Sequence, residues 1–189
     1  MSSYNIVLAL SDHALLEDWI GLATRLLPQG GEIHVRGLVT IEAGKSLSEG
    51  VLPARLLRDS LYERARYNPY VHDEVHVYVD HQPFMRLLDN VTALEADLLL
   101  IQQGSPDSMV GGLYADEIFP LAVCDVVLVS GDGWQKAGDV LLSLRGGPNM
   151  SLGVRVAQAL ADTETITLFH AADRARNAPD LELVMRAIP

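Results

Sequence analysis

The chain is short of the features that would place it in several large classes. It has one cysteine, Cys124, in 189 residues, so an internal disulfide is excluded, and the apolar setting of Cys124 reads as a buried, inert thiol. No apolar run approaches the ~18 to 20 residues that a membrane-spanning helix needs. The start, MSSYNIVLAL, lacks the basic stretch and cleavage site of a signal peptide. Positive charge is scarce: 14 Lys and Arg stand against 25 Asp and Glu, a net charge of -11, with no compact basic cluster. Binding a nucleic-acid backbone needs clustered cations, so nucleic acid is excluded as a partner class. The expectation is a soluble, cytoplasmic protein without membrane insertion. Its acidity also repels anions at long range, so any phosphate site would rest on local amides and a helix end.

What is present is apolar pattern, 49% of residues being hydrophobic, enough to bury a core. NIVLAL (Asn5 to Leu10) is a continuous apolar run, as expected of a strand buried on both faces. A helix follows, capped by Ser11 or Asp12 and carrying Leu16, Ile20, Ala23 and Leu27 at helical spacing. Ile33 to Ile41 reads as a second strand, and Leu52, Leu56, Leu57 and Leu61 mark a helix running towards Tyr67. Glu74 to Asp80 is the third strand, followed by a helix opened by Pro83, where the missing amide hydrogen costs nothing. Leu98 to Ile101 and Asp125 to Ser130 are the fourth and fifth strands, with a helix over Leu113 to Leu121 between them. Alternating strands and helices with short connections predict an α/β fold: a doubly wound, Rossmann-like sheet of five parallel strands with helices on both faces. Ligands of such sheets bind at the carboxyl ends of the strands, where the strand order reverses.

The end of the chain repeats its beginning. NIVLALSDHALLEDWIGLATRLL superimposes without a gap on DVLLSLRGGPNMSLGVRVAQALA, at an offset of about 134 residues. Ile6 falls on Val140, Leu8 on Leu142 and Leu10 on Leu144, while Met150, Val154, Ala157 and Ala161 take the helix positions. TITLFHA (Thr165 to Ala171) falls on the second strand, and DLELVMRAIP begins a further helix. The division is a domain over 1–133 and a partial βαβ repeat over 134–189. Two parallel strands cannot cover their own sheet, so the partial copy packs on the first domain, on a partner chain, or on residues of a longer tandem protein.

ADLLLI (Ala96 to Ile101), GLYADEIFPLAVCDVVLV (Gly112 to Val129) and the proline-started HQPFMRLLDNVTALEADLL (His81 to Leu99), taken in order, resemble the universal stress protein family. The resemblance covers residues 4–131 as a full domain and 137–189 as a partial one. It implies a regulatory or binding protein of the stress response, without catalytic residues, built on an adenine-nucleotide fold. Members that bind ATP carry G-x2-G-x9-G-[ST] after the fourth strand, where glycine lets the backbone approach phosphate. Here Gln102 stands at the first glycine, Ser105 at the second, and Gly112 is followed by Leu113 rather than a hydroxyl. The loop is also about three residues short of the family spacing, and Ser11 stands where binding members have an acidic residue, with Asp12 one place late. The resemblance therefore implies a degenerate pocket that binds ATP or AMP weakly or not at all and requires no cofactor. Its residues would be Ala9, Leu10, Ser11 and Asp12, Val39 near the end of the second strand, Gln102, Gln103, Gly104 and Ser105, and Gly111, Gly112 and Leu113. Family members pair the fifth strand across a two-fold axis, which implies a homodimer through Asp125 to Ser130. The alternatives are a functional ATP/AMP-binding stress sensor and a dimerising regulatory segment of a larger tandem protein or transporter.

Other constellations point elsewhere less well. His72, Asp73, His76, Asp80 and His81 invite a metal, but His76 and Asp80 sit two pleats apart on one strand, and no metal is expected. RGGPNMS, with Arg145 before two glycines, distantly resembles the SGGxDS loop of ATP pyrophosphatases but lacks the serine, the aspartate and the spacing. Asn149 as a helix cap is the plainer reading. Hydrolysis would need a phosphate cradle and an activated water, so no enzyme is expected.

Overall fold

The computed structural model describes residues 3–14, 16–72, 74–105, 107–131, 139–144, 149–161 and 165–170. The chain divides into two compact units, Met1–Trp134 and Gln135–Pro189. In the first, β1 (Asn5–Leu10), β2 (Glu32–Thr40), β3 (His76–Asp80), β4 (Leu98–Gln103) and β5 (Asp125–Ser130) form one sheet in the order β3-β2-β1-β4-β5. All its neighbours are parallel. The helices are α1 (Leu16–Leu26), α2 (Val51–Ala65), α3 (Pro83–Ala93) and α4 (Ala115–Leu121), with a 3₁₀ turn at Leu47–Gly50 before α2. No helix among the described residues is long and apolar enough to cross a membrane.

Strand periodicity decides which residues meet which helices. Val7, Ala9, Leu38, Leu99 and Ile101 point to one face and join Phe84, Leu87, Leu88 and Val91 of α3 and Ile118 of α4 in one apolar cluster. Side chains of the other parity, Ile6, Leu8, Leu10, Ile33, Val35, Leu98 and Leu100, are equally buried on the side of α1 and α2. Gly37 is where α2 comes closest to β2. A Cβ there would lie 2.8 Å from Val77, 3.0 Å from Leu57 and 3.2 Å from Leu61. Only part of the expected leucine face of α2 is used: Leu57 and Leu61 are buried, whereas Leu52 and Leu56 are exposed. At the amino ends, Asp97 clamps the centre of the sheet: its carboxylate accepts the Asn5 N–H at 2.8 Å, and the Asn5 side chain donates to Leu94 O at 2.9 Å.

The second unit holds β6 (Val140–Leu144), α5 (Met150–Ala161) and β7 (Ile166–His170), with β6 and β7 parallel. Leu142, Met150 and Leu168 pack on Val154, while Leu141 and Phe169 are exposed. The elements match the superposition of the two ends, down to the pairing of Val140 with Ile166, which mirrors that of Ile6 with Ile33. Arg145 and the two glycines after it, and the expected helix in DLELVMRAIP, lie outside the described residues, as does Asp73.

Some expected boundaries shift. β3 begins at His76 rather than Glu74, and β4 runs on to Gln103 because Gln102 and Gln103 pair with Val129 and Ser130 of β5. The last helix of the first unit starts at Ala115 rather than Leu113, since Leu113 is held in a turn with Val110.

Two polar side chains are buried on β2 beneath the end of α3, His34 and Arg36. Arg36 keeps its donors occupied: Nε donates to Asn90 Oδ1 at 2.7 Å and Nη1 to Val35 O and Glu74 O at 2.9 and 3.0 Å. Burial, then the charge of Arg36 and the neighbouring His72, lower the His34 pKa from 6.5 to about 4, against a weaker opposite pull from Glu32. Between those two values the unfolded chain takes up a proton that the folded chain refuses. Stability should therefore fall as the pH drops from 6.5 towards 4, by a total on the order of 3 kcal/mol. Urea unfolding along this range measures it, and His34→Leu should flatten that segment of the curve.

Candidate functional site

The order β3-β2-β1-β4-β5 reverses between β1 and β4, which makes their carboxyl ends the place for a ligand crevice. β1 delivers Ser11 and Asp12 there and β4 delivers Gly104 and Ser105, all four exposed. Asp12 is turned to its own loop: Oδ1 accepts the Ala14 N–H at 3.0 Å and lies 3.5 Å from His13 Nδ1. Ala9 and Leu10 are wholly buried in the sheet, Val39 is half-buried, and Gly111 and Leu113 are buried behind the loop. Gln102 and Gln103 belong to β4 itself, and the Gln103 amide donates to Ser108 O at 3.1 Å.

The loop after β4 spends its polar groups on itself. Ser108 Oγ accepts the Ser105 N–H at 3.0 Å and donates to Ser105 O at 2.7 Å, and the Ser108 N–H also donates to Ser105 O, at 2.9 Å. A phosphate cradle needs such amides pointing outwards and unsatisfied. Here the Ser105 amide is taken. Ser108 was not among the residues expected at the site, although the spacing of two serines around PD is a turn signature.

Gly111 and Gly112 have a different employment from phosphate approach. Val110 N–H donates to Leu113 O at 2.8 Å and Leu113 N–H to Val110 O at 3.2 Å, closing a two-residue turn whose central φ values are +56° and +87°. Two positive φ values are the mark of a tight hairpin turn, and glycine adopts them without strain. The turn sits on the start of α3. Gly111 O accepts the Phe84 N–H at 3.3 Å, and a Cβ on Gly112 would lie 2.8 Å from His81 O. The other amides at this helix start are met by Asp80, whose Oδ1 accepts from His81 N–H at 2.7 Å and Gln82 N–H at 3.4 Å. As folded, these residues do not fit a phosphate cradle.

Beside the turn, a depression of about 400 Å³ opens at the ends of β2 and β3, between Thr40 to Ala43, Asp80 to Gln82, Met109 and Gly112. His81 is held there by Nδ1 against Ile41 O at 2.9 Å, and Glu42 pairs with Lys45 at 2.7 Å. The hydrogen bond from Lys45, with its charge, keeps the Glu42 carboxyl below its usual range. No group of side chains suited to a metal ion occurs among the described residues. Burial, then Asp125 and Asp97, push the Cys124 thiol up to about 11, so it stays protonated and unreactive near neutral pH.

No protein-family model matches the chain and no curated protein matches it significantly. Among solved structures, a universal stress protein crystallised in complex with cAMP matches with a TM-score of 0.42 at 14% identity, over 68% of this chain and 98% of that one.

The two glycine environments give a paired expectation. Gly112→Ala meets His81 O in a positive-φ position and should cost about 1–3 kcal/mol. Gly104→Ala, whose Cβ meets only Ser108 Oγ at 3.8 Å, should stay within about 0.5 kcal/mol. Thermal unfolding of both variants tests the assignment; equal losses would refute it.

Proposed function

We propose that this chain is a universal stress protein-like regulatory and binding protein that performs no catalysis, works in the cytoplasm and retains the adenine-nucleotide crevice only in degenerate form. The observation that carries the reading is the inward-turned loop: the Ser105 amide belongs to Ser108 and the Gly111–Gly112 turn belongs to α3. Isothermal titration with ATP and with AMP should give no saturable heat up to about 1 mM, a binding free energy weaker than about −4 kcal/mol. A saturable isotherm below that concentration would favour the second reading, a working ATP/AMP sensor. The open surroundings of Gly104 and the depression beside Gly112 support that alternative.

Association with a second copy along β5 belongs to the same proposal. β5 is an edge strand, and an apolar edge invites pairing. In the helix and turn that lead into it, Phe119 is 52% and Val123 68% exposed, apolar surface of the kind that a partner would cover. The same surface suits a dimerising segment of a larger tandem protein or transporter, the reading that the internal repeat favours. Val127→Lys should convert a dimer into monomer in light scattering after size exclusion; an unchanged mass would count against pairing through β5.

A further inference from the structure

The edge of the sheet opposite β5 carries a cluster that the proposed function does not use. Before β3 begins, the chain is tied to β2 by the segment Tyr70 to His72. Ile33 N–H donates to Tyr70 O at 2.8 Å and His72 N–H to Ile33 O at 2.9 Å, with Val71 bridging Ile33. The His72 ring lies 5.2 Å from the ring of His34, tilted by 32°. His34 is 5% exposed, and its Nδ1 has no hydrogen-bond partner among the described residues. His72 is exposed, and its Nδ1 accepts the Glu74 N–H at 3.3 Å.

We propose that the His34–His72 pair is an acid-operated latch: proton uptake by the two rings releases the Tyr70 to His72 segment from β2 and opens this edge of the sheet locally. The bond from Glu74 requires His72 Nδ1 to be unprotonated. A proton there sets two N–H groups against each other and places a cation beside buried His34. His34 takes a proton readily only once the segment has moved and water reaches it, so each proton favours the open form.

The surrounding charges are of both kinds. From β2, Glu32 lies 4.0 Å from His34 Nε2 and favours its cation, whereas Arg36 opposes it. On the far side, Glu74 pairs with His76 at 3.0 Å. From His76 onwards β3 is held by its own pairing with β2, beginning with His76 opposite Arg36. Tyr78 of β3 sits against Arg36 and remains neutral, its hydroxyl pushed up by burial, and α3 contributes the uncharged Asn90. Histidine is the side chain whose charge changes in the mildly acidic range.

Amide hydrogen exchange of the full chain between pH 7.5 and 5.5, corrected for intrinsic rates, tests the latch. The Ile33 and His72 amides should lose about tenfold in protection while exchanging faster than the β1 and β4 amides throughout. His72→Gln, at an exposed position, should weaken that pH dependence, and His34→Leu combined with His72→Gln should abolish it. Protection that does not change with pH would overturn the proposal. So would latch amides that exchange only as slowly as those of β1 and β4, or an unaltered pH dependence in the variants.

Discussion

The first unit depends on the burial of β1 between two parallel neighbours. Every residue from Ile6 to Leu10 is within 1% of complete burial, with β2 on one side and β4 on the other. Burying each large aliphatic side chain contributes about 1.5–3 kcal/mol, and a strand buried on both faces must be apolar at every position. That strand fixes the parity of its neighbours: Val7 and Ala9 face α3 and α4, and Ile6 and Leu8 face away from them. It also sets the crevice, because chain passing from β3 to β4 must cross to the far side of β1. Where Asn5, Leu94 and Asp97 bind one another at the amino ends, the register of β1 against β4 is locked.

At the crevice, two demands compete for the same backbone groups. An amide that is to hold an anion must be left without a partner until the ligand arrives, and an unsatisfied amide away from water costs stability. In the loop after β4 two such backbone groups are met within the fold. Ser108 takes the Ser105 amide, and the Gly111–Gly112 turn seats the start of α3 through Phe84. A glycine pair in such a loop is therefore ambiguous on its own: positive φ serves a close turn against another helix as well as it serves approach to phosphate. In this fold a Cβ on Gly112 would lie 2.8 Å from His81 O, so the turn itself already requires glycine there.

The two edges of the five-stranded sheet differ in how they are finished. β5 ends the sheet on one side with an apolar strand, while the β3 side carries charged and titratable groups around His34, Arg36 and Glu74. Polar side chains at an edge discourage further strand pairing. In the second unit, α5 covers one side of β6 and β7, and Leu141, the counterpart of Val7 in the repeat, is exposed where Val7 is buried.

The elements of the first unit and their order were legible in the amino-acid sequence, because continuous apolar runs, Pro83 at a helix start and helical spacing in Leu16, Ile20 and Ala23 are local signals. Local spacing marked α2 but not which of its leucines are covered: Leu57 and Leu61 are buried and Leu52 and Leu56 exposed, because the buried side depends on the strand beneath, here through Gly37. It also ended β4 early, since the polar Gln102 and Gln103 pair with β5 in a register that no local pattern encodes. Whether the Ser105 amide faces a ligand or Ser108, and whether Gly112 adjoins a phosphate or His81, was decided only by tertiary structure. So was the meeting of His34 with His72 and of Arg36 with Asn90. Composition and periodicity dictate what each segment becomes. Contacts between residues far apart in the chain exist only once the parallel crossovers have closed, and those contacts determine what the site can do.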